Sequence, residues 1–80
     1  MNLRLAILTV LSDADLRGAT LAVMTPHVQA QAIGEAWTRD EIRRELNAIK
    51  DEALVACQKD QIQDANRFFI TTQGKTLIAR

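Results

Sequence analysis

Between positions 39 and 50 the chain carries the side chains that grip or read a polyanion: Arg39, Arg43, Arg44, Asn47 and Lys50. Arginine presents paired donors that match the acceptor edge of guanine, and asparagine matches adenine in the same way. Cations beside them hold phosphate. If this stretch is a helix with Ile42, Leu46 and Ile49 inward, then Arg43, Arg44, Asn47 and Lys50 occupy its flanks and outer side, with Arg39 at its start. The same stretch also carries Asp40, Glu41, Glu45, Asp51 and Glu52, which offset the cations. Arg44 lies one turn from Glu41, so the bland alternative is a solvated face of paired charges.

Other chemistry finds less support. A lone histidine such as His27, directly after Pro26, is expected as a surface or capping residue near a helix start rather than a catalyst. Cys57 has no basic neighbour in sequence to lower its pKa and is expected as a buried, inert thiol. Asp13 and Asp15 resemble a carboxylate pair, but no phosphate loop or second catalytic group accompanies them, and a polar helix exit is the simpler reading. The expectation is therefore a protein without catalytic residues, metal or cofactor. His27 and Cys57 are its only nitrogen or sulfur ligands of the usual metal-binding kind.

The elements that must position these residues are drawn from a chain of 80 residues, read as one domain over 1–80 with a core of marginal size. Hydrophobic residues make up 48% and charged residues 25%, which excludes a disordered or collagen-like chain. Ten basic residues balance ten acidic ones, so the molecule lacks the general positive field common among DNA-binding modules. No apolar stretch approaches the roughly 20 residues that span a bilayer. The start Met1-Asn2-Leu3-Arg4 lacks the small-residue cleavage pattern of a secretory signal. With a single cysteine also unable to form an internal disulfide, a cytoplasmic location is expected.

Leu3 to Leu11 reads as a helix that is apolar except at Arg4 and Thr9, with Ser12, Asp13 and Asp15 as its polar exit. Thr20 to Ile33 reads as mostly helical, with Leu21, Met24, Val28 and Ala32 on one face and Gly34 ending it. Pro26 leaves two options there. Either a short helix is capped by Thr25, or a longer one starts near Thr20 and bends at the proline. Thr38 and Glu41 have the spacing of a capping box, and Trp37 and Ile42 that of a hydrophobic staple, so the next helix is expected over 38–52. Val55, Cys57 and Lys59, then Arg67-Phe68-Phe69-Ile70-Thr71, predict a hairpin with a loose tip around Asp64-Ala65-Asn66. Phe68 and Phe69 should face opposite sides. Thr71 or Thr72 is expected to cap a final short helix carrying Leu77 and Ile78.

The segment Thr38-Arg39-Asp40-Glu41-Ile42, followed by Leu46, Ile49, Leu54 and Val55, resembles the recognition helix and exit of winged helix-turn-helix regulators. Ile70-Thr71-Thr72-Gln73-Gly74 is similar to the Leu-Thr-x-x-Gly pattern that follows their wing, and the helix spacing resembles small winged-helix proteins of Mu-like prophages. The resemblance implies an α+β, mostly α fold: three helices, a β-hairpin wing and a short C-terminal helix. It implies a phage- or prophage-type transcription regulator reading double-stranded DNA with helix 38–52, while Lys59 and Arg67 on the wing meet backbone phosphate. The alternative is a winged-helix interaction module that binds another phage or host protein. Ala53 stands where the family usually has glycine, which argues against a left-handed helix exit there. Such domains often pair through their first and last helices, so a homodimer through Leu5, Leu8, Leu77 and Ile78 is expected.

Overall fold

A computed structural model of the chain describes residues 3–14, 17–31, 37–60 and 65–78. Its first element, α1 (Leu3–Ala14), buries Ala6, Ile7, Leu8, Val10 and Leu11. The helix runs through Ser12 and Asp13, which the sequence assigned to its exit, and Asp15 lies outside the described residues. Gly18 follows at φ +62, and an added Cβ there would come within 2.7 Å of the Phe69 ring and 2.6 Å of the Phe68 carbonyl oxygen. Glycine is therefore needed both for the backbone turn and for the close approach of strand to chain.

The two-residue strand β1 (Ala19–Thr20) was not foreseen, since two residues are too few to show alternation. Thr20 also caps α2 (Leu21–Ala30), its hydroxyl accepting from the Val23 amide, so the longer-helix reading holds and Thr25 is not the cap. Pro26 lies within α2, and Thr25 instead donates its hydroxyl to the Leu21 carbonyl at 2.6 Å. His27 is exposed near the end of this helix rather than at its start. Ala32, Ile33 and Gly34, expected to complete the helix, lie outside the described residues. Across that interval, Gln29 Nε2 donates to the Trp37 carbonyl at 3.0 Å and ties α2 to the entry of α3 (Arg39–Asp51).

At that entry the capping box is complete. The Glu41 amide donates to Thr38 Oγ1 at 3.1 Å, and the Thr38 amide donates to Glu41 Oε1 at 3.2 Å. Ile42, Leu46 and Ile49 are fully or almost fully buried, and Trp37 packs against the cluster that contains them. The exit of α3 corrects the sequence reading: Ala53 adopts a left-handed φ of 63°. Two bonds close that turn, from Leu54 N–H to the Ile49 carbonyl and from Ala53 N–H to the Lys50 carbonyl, both at 3.0 Å. This is the Schellman arrangement, with alanine in the place glycine usually takes.

The chain then forms β2 (Val55–Asp60) and β3 (Ala65–Ile70), paired antiparallel from Val55↔Ile70 to Asp60↔Ala65. The expected loose tip is shorter than the sequence suggested. Ala65 and Asn66 are paired strand residues, and Asp64 lies outside the described residues. β1 joins on the other side of β3, giving a three-stranded antiparallel sheet in the order β1-β3-β2. Phe68 is buried and Phe69 half-buried, as alternation requires. Cys57, expected as buried, is exposed. It lies on the edge strand two residues beyond Val55, where Ala56 to Lys59 are all exposed. Thr71 caps the last helix, α4 (Thr72–Ile78), by accepting from the Gly74 amide at 3.1 Å. The described residues thus form a mostly helical α+β fold whose core joins α1, α2, α3 and the sheet.

Candidate nucleic-acid interface

At about 100° per residue, Arg39, Arg43, Asn47 and Lys50 fall within roughly 80° of arc on one flank of α3. Ile42, Leu46 and Ile49 hold the inward side, and Glu41, Glu45 and Glu52 collect on the opposite flank. Asp40 and Asp51 fall with Arg44 on the outer side next to the basic row, so that row is positive but partly offset, while the opposite flank is acidic throughout. The basic flank borders a groove of about 530 Å³. One wall is Arg39, Arg43 and Asn47, the other Ala65 and Asn66 of the hairpin, and Thr20, Leu21 and Ala22 at the start of α2 complete the lining. Leu46 and Phe68, both buried, lie beneath.

Register sorts the hairpin residues between the two faces of the sheet. Lys59 pairs with Asn66, a groove residue, and partners in an antiparallel pair share a face. Arg67 does not line the groove. It alternates to the other face, where its Nη1 donates to the Arg17 carbonyl at 3.1 Å. There it lines a second cavity of about 570 Å³ with Asp13, Arg17 and His27. Lys59 and Arg67 thus lie on opposite faces of the hairpin.

Arg44 is displaced toward the outer face of α3, in an open depression with Thr38, Arg39, Asp40 and Glu41. Arg43 pairs with Asp40 at 3.2 Å, an exposed i,i+3 contact of small energetic weight. Arg39, Arg44, Asn47 and Lys50 are exposed and make no side-chain hydrogen bond or ion pair with any described residue. Long cationic side chains in that condition are available to an incoming anion.

The acidic flank is held differently. Arg4 of α1 donates from Nε to Glu45 Oε1 at 3.0 Å and from Nη1 to Glu52 Oε1 at 3.1 Å, and its Nη2 pairs with Glu52 Oε2. Hydrogen bonding to Glu45 first, and then to Glu52, raises the guanidinium pKa above its ordinary value. Glu41, the third member of that flank, is occupied by the capping box. Sequence reasoning treated Arg4 as a polar interruption of an apolar helix. Its partners lie 41 and 48 residues away, beyond the reach of any local spacing rule.

The expected dimer residues separate in a similar way. Leu8 is fully buried in its own chain and is not available to a partner, and Ile78 packs half-buried against the core. Leu5 and Leu77 remain exposed, at 38% and 48%. Among the described residues no group of three or more His, Cys, Asp or Glu could hold a metal ion, and no helix is long and apolar enough to cross a membrane. Comparison with protein-family models, with curated proteins and with solved structures finds no match to this chain.

Proposed function

We propose that this chain is a winged-helix DNA-binding module, a small regulator of the phage or prophage type, in which α3 enters the major groove and the hairpin braces the backbone beside it. The element order supports this reading: a strand before the helix pair, a hairpin after it, and the sheet order β1-β3-β2. One observation carries it. Arg39, Arg43 and Asn47 line the same groove as Asn66 and the start of α2. In that arrangement Arg39 and Arg43 hold phosphate or guanine, Asn47 suits adenine, and Lys50 and Lys59 extend the contact along helix and wing.

Retention on mixed duplex DNA at low and moderate salt tests the reading. Arg39→Gln with Arg43→Gln should weaken retention and lower the salt slope by about two if both residues neutralise phosphates. Equal binding by the double variant would remove α3 as the reading element. A parent chain not retained even at low salt would favour the second reading, a winged-helix module for a protein partner. Exposed Leu5, Val23 and Leu77 on an electrically neutral molecule support that alternative. Pairing of two copies on a palindromic site would use Leu5 and Leu77. A monomer mass at micromolar concentration, unchanged by Leu5→Glu with Leu77→Glu, would end that part of the proposal.

A further inference from the structure

Carboxylates behind the groove weaken its hold on an anion unless their charge is offset. A helix with its side chains is about 10–12 Å across, close to the Debye length of about 10 Å at 0.1 M salt. Glu45 and Glu52 are therefore close enough to repel a phosphate chain lying along Arg39, Arg43 and Lys50. Arg4 meets both carboxylates at once, one through Nε and the other through the paired Nη1 and Nη2 donors. We infer that Arg4 is a positioning residue for polyanion binding: its single positive charge offsets one of the two negative charges of Glu45 and Glu52 on the α1 side of α3 and so lowers the repulsion that reaches the opposite, basic flank. The inference rests on the DNA reading and deepens it, because it names a residue that helps an electrically neutral chain present a basic face.

Arg4 acts through the carboxylates rather than by touching the nucleic acid, and this separates it from the residues of the groove. Arg4→Gln should weaken retention on duplex DNA about fivefold at 50 mM salt, with the difference shrinking as salt screens the freed carboxylates. Glu45→Gln with Glu52→Gln, made in the Arg4→Gln background, should restore parental affinity or exceed it, because the repelling charges are gone. A triple variant as weak as Arg4→Gln would overturn the inference, since Arg4 would then be a direct phosphate contact or a purely mechanical tie between α1 and α3. Urea midpoints measured on the same proteins report folding separately, and the restored affinity should not follow them. A parent that fails to bind DNA at low salt removes the functional reading and this inference together. A parent that binds, with Arg4→Gln binding equally well, removes this inference alone.

Discussion

At the scale of single residues, the exit of α3 is distinguished by a residue other than glycine, Ala53, in the left-handed region. Ala53 holds φ at 63°, a region where an L side chain crowds the neighbouring carbonyl and glycine does not. The tension persists because the turn is tied from outside. Thr71 Oγ1 donates to the Ala53 carbonyl at 2.7 Å, and the Thr71 amide donates to the Leu54 carbonyl at 3.1 Å. Gly74 packs directly on that same Leu54 carbonyl, where no Cβ fits. Thr71 and Gly74 thus join the end of α3 to the start of α4, which gives a physical reason for threonine and glycine at that spacing. Ala53→Gly should raise stability by about 1 kcal/mol, read as a higher urea midpoint. Thr71→Ala removes both the α4 cap and the bond to Ala53, so a loss of about 1–2 kcal/mol is expected. An unchanged midpoint for Thr71→Ala would mean that α4 is not docked through this residue.

At the scale of elements, legibility followed the range of the interactions. α3 was readable because its signals are local: Thr38 and Glu41 three residues apart, then Ile42, Leu46 and Ile49 on one face. Its cap should be worth about 1 kcal/mol, so Thr38→Ala should lower the urea midpoint accordingly. α2 was ambiguous because Pro26 removes an amide donor inside it, and propensity alone cannot say whether packing of Met24 and Val28 outweighs that cost. Packing prevails. Pro26→Ala should therefore stabilise the protein by about 1–3 kcal/mol, less than the full interior penalty because proline also restricts the unfolded chain. A decrease in midpoint would show that the proline conformation is required at the exposed face of α2. The elements that escaped prediction depend on distant partners. β1 exists through Ala19↔Phe68 and Thr20↔Arg67, and the bond from Arg67 to the Arg17 carbonyl joins residues 50 apart that no local pattern links. The basic residues of α3 were legible by type; their division into a groove-facing row and an outward Arg44 required the helix to be oriented by its core.

At the scale of the whole molecule, a formal net charge of +0 means that no general field draws the chain to a polyanion. On the DNA reading, affinity comes from a local set of cations, and the geometry limits that set. Arg39, Arg43 and Lys50 lie on the basic flank of α3, Lys59 pairs with the groove residue Asn66, and Arg44 stands apart on the outer face beside the carboxylates of Asp40 and Glu41. Arg17 and Arg67 border the other cavity, and Arg4 is committed to Glu45 and Glu52. Four phosphate contacts give an expected slope of log affinity against log salt of about −3.6. Between 50 and 200 mM salt, that slope corresponds to a loss of about a hundredfold per bound module. Lys75→Gln on α4 should leave the slope unchanged, whereas Lys50→Gln and Lys59→Gln should each reduce its magnitude by about 0.9. A slope steeper than about −6 would mean that cations outside this set reach phosphate, and the bound face would have to include the Arg17 and Arg67 side of the sheet. A measurable affinity with a slope near zero would mean that the grip is not ionic at all. The row on α3 would then be the solvated face of a protein-binding module, and the groove between helix and hairpin would have no polyanion to hold.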